Sequence, residues 1–428
     1  MKANVVHGDF NPCGGAERLS LVTIRALSEM GMDLDLTTLK VPNISKLENT
    51  YGKNLVSVME NIDKIYVVNI LDLLQRQKKQ QEDYPEYNYD ITINTNGDAA
   101  PYYHSSFSRD NAITYCHFPS TKYHIQSESV DYLKTDLGMT AEEDPNNFSD
   151  NNGVDEATIA NNLQYCKAKI HFSTKTGRRT RTKQECYEAI EYGYSNLMRN
   201  SRVITNSEFS RRAITNAFGL GNICIISPPV DIETFRNVDL ANENNERDRV
   251  ILVISRIAPH KQIENAIQLA KVLKDNNIGK GMRIVGNLYH YFFDYYTEIK
   301  QKVIELGLTD YIKFEINASL EKLLCIIQRS GVYFHPMIGD HFGMTVVEVM
   351  AAGLIPVVSN KGGPAEFVPQ RYRFETIEQA AEIIDYILNG LPKTERIKIS
   401  DDIDQFSNSY YIRRFQSLVN ELISKTAK

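Results

Sequence analysis

Along this chain, short apolar runs alternate with stretches in which apolar residues recur every three or four positions, the pattern of strands followed by amphipathic helices. Val5-Val6 leads through a glycine-bearing turn into Ala16–Met30, where Leu19, Val22, Ala26, Leu27 and Met30 fall at helical spacing, and Leu34–Leu39 follows as a strand. Strand, helix, strand in that order opens a parallel α/β sheet. Further strands are expected at Lys64–Val68, Asp90–Thr95, Ala112–Tyr115, Arg202–Thr205 and Asn222–Ile226. The run Ser227-Pro228-Pro229 interrupts the pattern, because paired prolines cannot sit in a central strand. The domain boundary is placed there, giving a first domain of residues 1–227 and a second of 228–407.

The alternation restarts at Val250–Ile254 and continues as helix Ile263–Leu273, strand Met282–Val285, helix Tyr291–Leu306, strand Tyr311–Ile316 and helix Leu320–Gln328. Strand Val332–His335, helix Met344–Ala352 and strand Leu354–Ser359 complete a second parallel α/β domain. Tyr410–Lys428 is helical by pattern, with no strand after it, and must pack on something already built.

A length of 428 residues suits two or three domains at roughly 150 residues each. Lys and Arg number 48 against 54 Asp and Glu, a net charge of −6, which argues against a nucleic-acid binder working by bulk charge. An anion site, if there is one, must be local. The apolar runs are far shorter than the ~20 residues of a membrane-spanning helix, and the start of the chain has no apolar core of a secretion signal. Six scattered cysteines without a Cys-x-x-Cys pair suit reduced thiols. These features together point to a cytoplasmic protein. Between Ser120 and Arg199 lies a long excursion, in which Ala141–Glu156 carries six acidic residues and no basic one, while Lys167–Lys183 carries seven basic residues and no acid. The basic run is either a solvated face or a patch for phosphate or anionic lipid headgroups.

Four constellations could carry chemistry. Gly14-Gly15, between the first strand and the first helix, either tightens a turn or brings backbone N–H groups close to an anion at a helix N-terminus; it is not a dinucleotide G-x-G-x-x-G. Arg256 and Lys261, on a loop stiffened by Pro259 after the first strand of the second domain, combine a planar fork with a mobile point charge, suited to a diphosphate. Asp340 precedes a helix, where it is either an ordinary N-cap or a functional carboxylate. Glu348 lies eight residues on among Val346, Val347, Val349 and Met350, an expensive place for a charge unless something such as ribose hydroxyls satisfies it. Gly362-Gly363-Pro364 is a second glycine pair at the expected start of another helix.

Taken together, Gly14-Gly15-Ala16-Glu17, Cys116-His117-Phe118-Pro119, Ser255-Arg256 with Lys261, Asp340-His341-Phe342-Gly343 through Glu348 to Gly353, and Gly362-Gly363-Pro364 resemble the retaining GT-B glycosyltransferases of family 4. The motifs are most similar to those of the α-1,2-mannosyltransferases that elongate dolichol-linked oligosaccharide. The resemblance implies two Rossmann-like parallel α/β domains facing across a cleft, with the C-terminal helix, 408–428, packing back on the N-terminal domain. It implies that Arg256 and Lys261 bind the donor diphosphate, that Glu348 holds the ribose and that His117 faces the transferred sugar. Gly14 and Gly15 would approach the diphosphate, and Gly362, Gly363 and Pro364 would shape the pocket. Asp340 stands where the family's E-x7-E motif has its first Glu, one methylene longer.

The implied donor is a nucleotide sugar, GDP-mannose favoured over a UDP-sugar. The acceptor is a glycan or a lipid-linked hydroxyl, reached without a metal or other cofactor and without nucleic acid. Base recognition is expected around Phe314–Ser319. A peripheral contact with an anionic membrane at its cytoplasmic face is a further expectation for the Lys167–Lys183 run. Two other readings stay open: a GT-B-shaped sugar-nucleotide epimerase or hydrolase, and a non-catalytic nucleotide-sugar-binding scaffold.

Overall fold

The computed structural model describes residues 1–67, 89–96, 111–120, 122, 169–172, 183–240 and 247–426. They form two compact units, the first comprising Met1–Asn206, Ser210–Ile226 and Ile412–Lys428, the second Ser207–Phe209 and Ser227–Tyr411.

The first unit contains β1 (Lys2–Val6), α1 (Gly15–Glu29), β2 (Asp33–Thr38), α2 (Ile44–Tyr51), α3 (Lys53–Val56), β3 (Ile62–Val67), β4 (Ile91–Asn94) and β5 (Ala112–Tyr115). After these come β6 (Lys169–Phe172), α4 (Lys183–Arg199), β7 (Arg202–Thr205), α5 (Glu208–Phe218) and β8 (Cys224–Ile225). The strands make one sheet in the order β6-β3-β2-β1-β4-β5-β7-β8, and every neighbouring pair is parallel. Strand order runs outward in both directions from β1, so the switch point lies between β1 and β4, where Val6 pairs with Asn94. In open parallel sheets ligands bind beyond the carboxyl ends of strands at such a point.

The second unit contains α6 (Ile232–Leu240), β9 (Val250–Ile254), α7 (Ile263–Asp275), β10 (Gly281–Gly286), α8 (Phe293–Glu305), β11 (Ile312–Ile316), α9 (Leu320–Arg329) and β12 (Val332–Phe334). It continues with α10 (Met344–Ala351), β13 (Pro356–Ser359), β14 (Arg373–Phe374), α11 (Ile377–Leu388) and α12 (Lys393–Asp401). Its parallel sheet has the order β11-β10-β9-β12-β13-β14, with the switch point between β9 and β12. Ile251, Leu252 and Val253 of β9 are wholly buried, because helices cover both faces of a parallel sheet; β9 therefore reads as a continuous apolar run rather than an alternating one.

α13 (Asn408–Thr426) ends the described chain. From Ile412 it belongs to the first unit, where Phe415 and Val419 are wholly buried and Gln416 Nε2 donates to the Ala26 carbonyl of α1 at 3.0 Å. Among the described residues no helix is long and apolar enough to cross a membrane.

Several elements depart from expectation. The strand expected at Leu354 begins at Pro356, the first strand position, where the missing N–H of proline is tolerated. A 3₁₀ turn, His290–Phe292, replaces the expected first turn of α8. The second glycine pair opens a single 3₁₀ turn, Gly363–Glu366, and not a helix. Within the Ser120–Arg199 excursion, where no strand or helix was expected, Lys169–Phe172 pairs with β3 as an edge strand, and α4 follows from Lys183. The acidic stretch Ala141–Glu156 and Lys167, Lys175, Arg178, Arg179 and Arg181 lie outside the described residues. α11 was not foreseen, although its signal is present: Thr376 caps Gln379 N, and Ala380, Ala381, Ile384 and Ile387 line its buried face.

Candidate functional site

In the second unit, the carboxyl ends of β9 and β12 gather four of the expected site residues. β9 runs into Ser255 and an exposed Arg256, and the chain then makes the 3₁₀ turn Pro259–Lys261. Gly286, at the end of β10, permits this path: a Cβ there would lie 1.8 Å from the Ser255 carbonyl oxygen. Gln262 and Asn265 tie the turn to the neighbouring loop. Gln262 exchanges hydrogen bonds with the backbone of Ile338 at 3.2 and 3.1 Å, and Asn265 Nδ2 donates to the Pro336 carbonyl at 2.9 Å. Lys261 Nζ is thereby placed 3.5 Å from Met337 Sδ.

Asp340 is the electrostatic centre of the cluster. Its Oδ2 lies 2.9 Å from His335 Nε2, and His335 Nδ1 lies 2.9 Å from the Tyr333 hydroxyl, itself 3.1 Å from Thr345 Oγ1. A carboxylate only accepts, so the ring proton of His335 sits on Nε2 and Nδ1 accepts from Tyr333. Burial alone would raise the Asp340 carboxyl, but the Lys261 ammonium and the His335 hydrogen bond outweigh it and hold the group well below the usual carboxylate range. For Lys261 burial dominates and lowers the ammonium, with Asp340 opposing and Arg256 reinforcing the shift. His335 was not singled out from sequence; at the end of a strand it carries no spacing signal.

Asp340 is not the N-cap of α10. That position belongs to Gly343, in the left-handed region at φ +82°, and Asp340 Oδ1 makes only a long 3.5 Å approach to Phe342 N. The carboxylate is thus left to its side-chain partners. Glu348 also departs from expectation: it is half-buried, while Val346, Val347, Val349 and Met350 are buried. It lies off the core face of α10, close enough to help raise the Tyr333 hydroxyl. Gly362 and Gly363 hold the next loop against Asp340. Gly363 N donates to the Asp340 carbonyl at 2.7 Å, and a Cβ on Gly363 would lie 2.2 Å from the His341 carbonyl oxygen. Pro364, inside the 3₁₀ turn, is buried against this crossing, with its Cγ 2.8 Å from where a Gly343 Cβ would be. Near the region expected to read the base, Asn317 adopts φ +53° and its side chain accepts from Leu288 N at 3.0 Å.

The first unit holds the other expected residues. Gly14 caps α1, and its N–H donates to Glu17 Oε2 in a capping-box arrangement. The Gly14 amide is therefore taken by a side chain; Gly15 opens the first turn, where amides have no intrahelical acceptor. His117, just beyond β5, has Nε2 3.3 Å from the Thr95 carbonyl. A carbonyl accepts, so Nε2 carries the proton and Nδ1 keeps its lone pair. Burial lowers the His117 imidazole to about 4, so the ring is neutral at neutral pH.

Residues 235–400 match the family Glycosyl transferases group 1. Across 99% of this chain, the GT-B fold is shared with solved structures: a glycosyltransferase from Rickettsia africae (15% identity, 98% of that chain, TM-score 0.57) and Anabaena HepE, solved with UDP (16%, all of that chain, 0.57). It is the stretch 235–400 of the chain that carries the match to the group 1 glycosyl transferases. Curated proteins similar to this chain include the GDP-Man:Man(3)GlcNAc(2)-PP-Dol alpha-1,2-mannosyltransferases of Dictyostelium discoideum, 27% identical over 55% of this chain and 52% of that protein, and of Homo sapiens, 26% over 51% and 48%. The matched stretches span about half the length of those relatives. The family region, 235–400, contains Arg256, Lys261, Asp340, Glu348 and the Gly362-Gly363-Pro364 turn, whereas Gly14, Gly15 and His117 lie before it.

Proposed function

We propose that this chain is a retaining hexosyltransferase that moves a sugar, mannose by preference, from a nucleotide-diphosphate donor to a hydroxyl of a glycan or lipid-linked acceptor. The observation that carries the reading is the gathering of Arg256, Lys261, Asp340 and His335 at the β9/β12 switch point of a group 1 glycosyl transferase domain. Two preset cations beside one fixed carboxylate suit a reaction in which the bond between the anomeric carbon and phosphate oxygen breaks and negative charge collects on the departing diphosphate. Arg256 and Lys261 receive that charge, Asp340 accepts from the transferred sugar, and Glu348 accepts from the ribose. The acceptor hydroxyl bonds to the anomeric carbon on the face the diphosphate leaves, and its proton passes to a phosphate oxygen. His117 offers its bare Nδ1 to a sugar hydroxyl, Gly15 an amide to the phosphate, and Gly362, Gly363 and Pro364 hold the Asp340 loop in place.

GDP-mannose is favoured because the curated relatives are named for it; HepE in complex with UDP supports a UDP-sugar as the second candidate. A lipid-linked acceptor fits the relatives' names, and the Lys167–Lys183 run is its proposed partner at the cytoplasmic face of a membrane.

A panel of nucleotide sugars screened by thermal shift tests the donor site. GDP-mannose at about 100 times its dissociation constant contributes ~2.7 kcal/mol to the wild type, raising Tm, and most of that shift is lost in Glu348→Ala. An equal shift in the variant removes Glu348 from the site. Transfer is also expected to persist in excess chelator; loss of turnover that a divalent cation restores would overturn the metal-independent mechanism.

A further inference from the structure

The transfer chemistry leaves unused a buried ionisable pair in the first unit, Glu17 and His7, 8% and 1% exposed. Capping α1 does not account for it. In a capping box the third residue is Glu or Gln alike, so Gln would serve Gly14 without placing a charge in the interior. What faces the Glu17 charge is His7 Nε2, 3.6 Å from Oε1, and that nitrogen is buried with no hydrogen-bond partner. The other edge of the ring is held closely: His7 Nδ1 lies 2.8 Å from Ser20 Oγ and 3.2 Å from Thr95 Oγ1, and the two hydroxyls are 2.6 Å apart. With the carboxylate on the Nε2 side, the ring proton belongs on Nε2, and Nδ1 accepts from a hydroxyl. Thr95 then closes the chain, because its carbonyl is the group that His117 Nε2 approaches at 3.3 Å.

We propose that Glu17 and His7 are positioning residues. The carboxylate fixes the His7 ring, and the ring, through Ser20 and Thr95, fixes the carbonyl that sets the orientation and tautomer of His117. The proposal rests on the reading above that His117 faces the transferred sugar. It gives Glu17 two tasks, a hydrogen bond to Gly14 that Gln can replace and a charge toward His7 that Gln cannot.

The full chain carrying Glu17→Gln separates them. Melting temperature, titration with GDP, turnover of GDP-mannose and imidazole ¹⁵N spectra of histidine-labelled protein are compared with wild type and with Glu17→Ala. Glu17→Gln is expected to melt within about 2 °C of wild type and to bind GDP with unchanged affinity, since the cap and the second unit are intact. Its turnover is expected to fall by about tenfold to a hundredfold, with donor KM unchanged, the signature of a misplaced group near the reacting centre. In wild type the spectra should show His7 and His117 as Nε2–H tautomers, and in Glu17→Gln both signals should shift. Wild-type turnover in Glu17→Gln would reduce Glu17 to a cap and overturn the proposal. If GDP-mannose is not turned over by wild type, the donor assignment fails while the spectra still decide: a His117 signal unmoved in Glu17→Gln overturns the positioning role.

Discussion

Asp340 shows how three neighbours determine the state of one carboxylate. Burial works against its ionised form, and Lys261, His335 and His341 more than reverse that, so its pKa in the folded chain lies below the unfolded value of ~3.9. The sign follows from linkage. The folded form binds fewer protons than the unfolded form at acid pH, so Asp340 contributes its full stabilisation above about pH 4 and loses it as pH falls through the depressed folded value. Melting curves of wild type and Asp340→Asn should therefore differ by a constant amount from pH 5 to 8 and converge in strong acid. A difference that grew from pH 5 to 8 would show that another group sets the charge. The same depression keeps Asp340 anionic throughout the neutral range, so it contributes no limb to an activity profile above pH 5. Asp340 and Glu348 were legible in the sequence as an eight-residue spacing before and within a helix. His335 was not, because the partner of a carboxylate is chosen by the end of β12 and not by any repeat in the chain.

The elements around this cluster meet through backbone contact, which makes their glycines structural requirements. β10 ends at Gly286 because the carbonyl of Ser255 passes where a side chain would begin. Gly286→Ala must displace either β10 or the loop that carries Arg256, and is expected to cost about 3 kcal/mol, read as a lower denaturant midpoint. Donor binding should weaken along with stability, because the displaced loop holds Arg256 and Lys261. A variant that melts like wild type would contradict the packing described here. Most strands and helices of the second unit were readable from periodicity, since consecutive short apolar runs and amphipathic stretches alternate there without interruption. β6 and β14 were not: edge strands of four and two residues are too short for a pattern, and they form by completing a sheet that already exists.

At the scale of the molecule, α13 is the segment whose placement depends most on the rest of the chain. Its apolar face supplies Phe415 and Val419 to the first unit, although about 180 residues separate it from that unit's last strand. Phe415→Ala should cost roughly 3–5 kcal/mol. Hydrogen exchange should show the loss in the first unit, in α1 most clearly because Gln416 binds the Ala26 carbonyl; protection lost only in the second unit would contradict the assignment. The sequence by itself determined that two parallel α/β arrays follow one another, that a last helix must find an existing surface, and that glycine pairs, Arg256, Lys261 and Asp340 stand at turns after strands, with Glu348 inside the helix that follows. Those are local properties, set by periodicity and by the conformational limits of glycine and proline. The Gly14–Glu17 cap is local too, its partners three residues apart, whereas tertiary structure alone decided that His335 fixes Asp340 and that His7 faces Glu17. Each depends on which strand ends lie side by side, and strand order is settled by the packing of the whole sheet, not by neighbours in sequence.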